Sequence, residues 1–170
     1  VDTAKEVNVS AIIAADVAVM LYAFEKGVEV HLSTQLNIAN VEALKFYARY
    51  ADVVVLAREC NMEQVAQIWK AIQDEKICGP NGELIKIEMF CHGALCMAVS
   101  GKCYLSLHEL NASANRGACY QVCRHGYRLI DDERDIEIKV DNQYLMSPKD
   151  LKTIHFLNKM IDAGVRVFKI

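Results

Sequence analysis

A chain of 170 residues, 53% of them apolar, is long enough to bury a core of its own, and a formal net charge of -3 gives no general attraction to polyanions or membrane surfaces. No apolar run reaches the length of a bilayer span and no secretory leader opens the chain, so a cytoplasmic protein with no membrane partner is expected. Seven cysteines are an odd count, and the apolar content is too ordinary for a small disulfide-stapled scaffold. Reduced thiols or a metal site are expected, with a mixture of buried thiols and disulfides as the alternative. The chain starts at Val1 and stops on an apolar run at Ile170, which suggests a fragment of a longer protein.

Residues 9–16 form a short apolar run ending at Asp16, expected as a strand, and 17–26 a helix closed by Gly27. A second strand is expected over 28–33, then a helix over 41–50 capped by Asn40. A third strand over 52–57 runs into Arg58 and Glu59. Asn61 and Gln64 have the spacing of a capping box, so a helix follows over 62–73. Gly79 to Gly82 is a turn and 84–90 a fourth strand.

Apolar strands alternating with helices predict a parallel sheet covered on both faces. The strands end in polar residues: Asp16, then His31 and Ser33, then Arg58 and Glu59, then Glu88 and His92. Reactive residues at carboxyl strand ends are the rule in (β/α) barrels, and a doubly wound sheet gives the same pattern.

Further on, 135–140 alternates with period two and predicts a half-exposed strand, turning at Asp141 and Asn142 to a hairpin partner at 144–146. Ser147, Pro148 and Asp150 predict a helix start, with Leu151, Ile154, Leu157 and Ile161 on its apolar face. Gly164 ends it before a last strand over 165–170. Five barrel-type strands result, against eight in a full barrel of roughly 250 residues. The fold class is therefore α/β: a truncated, partial (β/α) TIM-type barrel over 1–170, with a cysteine-rich insertion at 88–128 and a small hairpin at 135–146.

The cysteine-rich segment carries the chemistry. Five of the seven cysteines lie in it, and four of the eight glycines lie two or three residues from one of them. Thiolates beside close backbone N–H groups suit an iron–sulfur cluster, because hydrogen bonds to sulfur disperse its negative charge. Cys96, Cys103, Cys119 and Cys123 are the candidate ligands of one metal centre, a [4Fe–4S] cluster ahead of zinc. Cys119 and Cys123 are four apart and would share a helix face if the segment is helical. The six, fifteen and three intervening residues match neither a zinc ribbon nor a ferredoxin run. Protein prepared in air could hold zinc, a disulfide or nothing at this centre. Cys60, Cys78 and Cys91 are expected as small buried apolar residues.

Glu88-x-Phe90-x-His-Gly-Ala-Leu-Cys96, Ser100-Gly-x-Cys103-x-Leu-Ser106 and Asn115-Arg-Gly-Ala-Cys119-x-x-x-Cys123-Arg124 together resemble the signature of the U-thirty-two peptidase family, the collagenase-like proteases. His31-Leu-Ser-Thr-Gln35, Leu56-Ala-Arg-Glu59, Met146-Ser-Pro-Lys-Asp150 and Gly164-x-x-x-x-Lys-Ile170 are similar to family blocks in family order. Ala15 and Cys60 depart from the usual glutamine and aliphatic residue. The resemblance implies a (β/α) barrel and two kinds of activity. One is degradation of collagen or gelatin, with a protein substrate. The other, in branches with an iron–sulfur cluster on four cysteines, is hydroxylation of a tRNA or rRNA base or of the ubiquinone ring, with prephenate linked to the RNA branch.

Around these ligands, Arg58, Glu59, Glu88 and His92 are the candidate catalytic residues, His92 for proton transfer. His31, Asn115, Arg116 and Arg124 are the candidates for holding substrate, the arginines through bidentate contact with carboxylate or phosphate. No His-Glu-x-x-His or Gly-x-Ser-x-Gly is present, and four cysteines committed to metal are not available as nucleophiles. The chemistry therefore argues against proteolysis, and of the activities that the resemblance implies, hydroxylation of an RNA base is the one expected. With a net charge of -3, the basic surface for RNA is expected from segments outside this chain.

Overall fold

The computed structural model describes residues 1–170. Helices are α1 (Asp2–Glu6), α2 (Val17–Lys26), α3 (Val41–Ala48), α4 (Met62–Glu75), α5 (Leu105–Leu110) and α6 (Leu157–Asp162). Strands are β1 (Ile12–Ala14), β2 (Val30–Leu32), β3 (Val53–Val55), β4 (Lys86–Phe90), β5 (His92–Gly93), β6 (Tyr127–Asp131), β7 (Ile136–Val140), β8 (Leu151–Lys152) and β9 (Val165–Lys169). Two compact units result: Val1–His92 with Lys152–Ile170, and Gly93–Leu151.

The first unit is a parallel five-stranded sheet in the order β1-β2-β3-β4-β9. Its helices start where side chains satisfy the free N–H groups of the first turn. Asp16 accepts from Ala18 and Val19 (2.9 and 3.1 Å) to open α2, and Asn40 accepts from Ala43 to open α3. Asn61 and Gln64 close a reciprocal capping box at α4, both bonds 2.9 Å. Asp16 is thus a helix cap rather than a reactive strand end.

Register sorts the sheet residues onto two faces, because alternate strand residues point opposite ways. Ala14, Leu32, Val54, Ile87 and Val165 fall on one face and join one core with Met20 and Ala23 of α2, Leu44 and Ala48 of α3, Val65, Ile68 and Ile72 of α4 and Met160 of α6. The other face carries Ile13, His31, Val53, Val55 and Glu88, and Lys169 joins them because a register irregularity in β9 between Val165 and Val167 switches the alternation. Helices therefore pack in a single core on one side, instead of covering both faces as the strand pattern suggested.

In the second unit, α5 and two 3-10 turns, Ala114–Arg116 and Val122–Arg124, precede an antiparallel hairpin. The hairpin pairs β7 with β6, which precedes it, and not with 144–146, which form no strand. Asp131 decides this: its side chain accepts from the Glu133 and Arg134 N–H groups and folds the turn.

The helix expected at Ser147 is also displaced. The Ser147 hydroxyl donates to the Pro148 carbonyl and caps nothing, while the Thr153 N–H and hydroxyl both donate to the Cys91 carbonyl. That holds the backbone extended at 151–152, and the helix waits until Leu157.

Candidate functional site

The polar face of the sheet is built around Glu88. It lies mid-strand in β4, beside Val55 of β3 and Val167 of β9, and is only 4% exposed. An ionised carboxylate at such depth needs partners. His31 of β2 brings Nδ1 to 3.2 Å from Oε2, and Lys169 of β9 brings Nζ to 2.8 Å from Oε1. The outer nitrogen of His31, Nε2, faces the exposed Glu29 at 3.4 Å.

The charges tune one another. The hydrogen bond to Glu88 pushes the His31 pKa above the ordinary imidazole value despite partial burial, and the charges of Glu88 and Glu29 add to it. Burial opposes ionisation of Glu88, but the hydrogen bonds and charges of His31 and Lys169 together outweigh it and hold the carboxyl below its usual range. Lys169 was missed as a site residue, although its signal was present in the Gly164-x-x-x-x-Lys-Ile170 block.

The other candidates of this unit follow β3 and β4. Arg58 is half-buried and Glu59 exposed, in the turn after β3. His92 is exposed in β5, and the partners that the structure gives Glu88 are His31 and Lys169.

In the second unit, hydrogen bonds draw the cysteine loops alongside one another. Asn115 Nδ2 donates to the Gly101 carbonyl (3.0 Å), and the Tyr120 N–H to the Ser106 hydroxyl (3.2 Å). These two bonds bracket Cys103 on one strand of chain and Cys119 on the other. Cys123 sits in the second 3-10 turn, so Cys119 and Cys123 do not share a helix face. Burial pushes the Cys123 thiol up, as do the nearby Cys96 and Cys119, against a hydrogen bond with Ser147 and the charge of Arg124.

All seven cysteines are free thiols, and no three His, Cys, Asp or Glu side chains are grouped in the geometry of metal ligands. The donor chemistry nonetheless fits a thiolate-bound metal. Three of the four thiols lie within electrostatic reach, and the loops of Cys103 and Cys119 are tied together. Gly117, at φ 88°, has open space where a Cβ would stand, two residues from Cys119.

Arg124 is spent locally. Nη1 donates to Asp150 at 2.6 Å, the guanidinium lies 5.9 Å from the Tyr144 ring centre, and Nη2 is buried with no hydrogen-bond partner. Arg116 is exposed and lines a cavity of about 620 Å³ with Leu107, Asn111 and Ser113. Of the cysteines expected to be buried, Cys60 is, Cys91 is half-buried, and Cys78 is exposed with its thiol donating to the Lys76 carbonyl.

The sequence of peptidase family U32 matches this chain across residues 1–170. The chain belongs to that family. Among U32-family relatives, a collagenase of Porphyromonas gingivalis (strain W83) is 68% identical over the whole of this chain and 41% of its own length. The 23S rRNA 5-hydroxycytidine C2501 synthase of Escherichia coli is 42% identical over 84% of this chain and 20% of its own. The tRNA hydroxylation protein P1 of Bacillus subtilis is 37% identical over 97% and 38%. The chain thus spans less than half the length of these curated relatives. No solved structure matches it. No helix is long and apolar enough to cross a membrane.

Proposed function

We propose that this chain is part of an iron–sulfur enzyme of the U32 family that hydroxylates an RNA base in the cytoplasm. The observation that carries the reading is the cysteine unit, in which hydrogen bonds align the Cys103 and Cys119 loops and Cys96 and Cys119 act on Cys123. Relatives named for rRNA and tRNA hydroxylation support it. Cys96, Cys103, Cys119 and Cys123 would hold a [4Fe–4S] cluster, which supplies one-electron chemistry when bound. Arg116, exposed beside a cavity, would pair with a phosphate or with the carboxylate of a prephenate-like co-substrate. Arg124, already paired with Asp150, serves the cysteine unit by fixing the 3-10 turn that carries Cys123.

The sheet is proposed as part of a (β/α) barrel. Helices packed in one core against one face, with a polar row on the other, are what a barrel wall gives.

Anaerobic preparation of the full-length protein should yield about four iron atoms per chain, and Cys103→Ser should lose both iron and colour. Retained iron in that variant would remove Cys103 from the ligand set. Proteolysis is the second reading, favoured by the relatives named collagenase. A full-length Cys96→Ser protein that lost RNA hydroxylation but still digested gelatin would establish it.

A further inference from the structure

We propose that His31 is a proton-transfer residue of the sheet face, facing a heterocyclic base, with Glu88 and Lys169 as its positioning residues. The assignment rests on the RNA-base reading above, since it names the group that exchanges a proton with the base.

The geometry orders the roles. An ammonium donates and never accepts, so Lys169 at 2.8 Å occupies Oε1 of Glu88 and requires that carboxylate to be an acceptor. The other oxygen, Oε2, then accepts from His31 Nδ1 at 3.2 Å, which fixes the Nδ1–H tautomer. Nε2 is left as the nitrogen that takes up and releases the proton. It is also the outer nitrogen: Glu88 is 5% exposed in its side chain, His31 23% and Glu29 39%.

Ile13 of β1 and Val53 of β3 stand beside His31 in register, while Glu88 from β4 and Glu29, which precedes its own strand, are the charges that act on it, Lys169 acting through Glu88. Stability alone does not call for the arrangement, because apolar residues of similar volume do as well as a buried ion pair. Val53 and Val55 are such residues on the same face.

The step is a proton transfer and balances without an oxidant. Protonated His31 gives the Nε2 proton to a ring nitrogen or carbonyl oxygen of the base, forming an N–H or O–H bond. Solvent then returns a proton to Nε2 by way of the Glu29 carboxylate.

Two arms test this on the full-length protein. In the first, NMR of isotope-labelled histidine follows the His31 titration. It is expected above the ordinary imidazole range and should fall back on Glu88→Gln. A titration unmoved by that change overturns the proposal. In the second, hydroxylated base is measured in RNA incubated with each variant. His31→Ala should lose about 100-fold in rate, the lower end for a general acid–base group, with partial rescue by added imidazole. Lys169→Met should move the acid limb of the pH profile upward, because Glu88 becomes harder to ionise, and Lys169→Arg should restore it. Full activity of His31→Ala overturns the proposal. If the wild-type protein hydroxylates no RNA, the RNA reading fails and the first arm alone decides whether the network governs His31.

Discussion

Replacing Gly164 by alanine tests the packing that seats β9, and with it Lys169. Gly164 follows α6 with φ 106°, and a Cβ there would lie 2.1 Å from Cγ of Trp69 in α4, with two more Trp69 atoms at 2.4 and 2.6 Å. Carbon atoms in good contact sit at about 3.5–4.0 Å, so the indole or the backbone must move. The indole is not at liberty to do so, because Arg166 stacks over it at 4.4 Å while donating to the Ile161 and Val165 carbonyls.

Overpacking of this kind costs about 1–3 kcal/mol, and a non-glycine residue in so sparse a backbone region about 1–3 kcal/mol more. The expected loss is thus about 2–6 kcal/mol, centred near 4 kcal/mol, a large part of the roughly 5–15 kcal/mol typical of a domain. Urea unfolding followed by the emission of Trp69, the single tryptophan of the chain, should show a midpoint lower by about 2 M at a slope near 2 kcal/mol/M. Trp69→Ala in the same chain, followed by far-ultraviolet circular dichroism because the fluorescent probe is gone, should recover the steric part and leave the backbone part, giving a clear coupling between the two sites. A Gly164→Ala midpoint within about 0.5 M of wild type would show that α4 and β9 do not meet as described.

Three further outcomes are expected. The stability difference between wild type and Glu88→Leu should form a plateau in pH. Glu88, whose carboxyl is held low, contributes above its unfolded value of about 4.3 and loses that as pH falls through the folded value; His31, held high, contributes below about 6.5 and loses that as pH rises through the folded value. Denaturant midpoints measured across this range check it, and a difference that grows steadily with pH would refute the pairing. Asn61→Ala should cost about 1 kcal/mol by opening the α4 capping box, a fall of about 2–4 °C in the melting temperature, whereas Asn61→Ser should keep most of it. Asp131→Ala should loosen the β6–β7 turn without affecting α4, seen as faster amide exchange in 127–140 alone; an unchanged exchange pattern would mean that the turn holds without that side chain.

The sequence by itself determined what depends on a few neighbouring residues. Asn40 and Asn61 with Gln64 mark two helix starts because a cap is satisfied within three residues of itself. The alternation of short apolar strands with those helices was enough for a parallel α/β sheet, and the cysteine signature was enough for the family.

Tertiary structure decided whatever joins distant positions. His31 and Glu88 are 57 residues apart, and only the register of β2, β3, β4 and β9 brings them and Lys169 onto one face. Ser147 and Pro148 carry the local pattern of a helix start, yet Thr153 bonding to the Cys91 carbonyl, 62 residues away in sequence, keeps that backbone extended. A local propensity worth about 1 kcal/mol yields when long-range hydrogen bonds fix the chain otherwise. A strand's pattern shows which residues alternate; only its neighbours show which charges will meet.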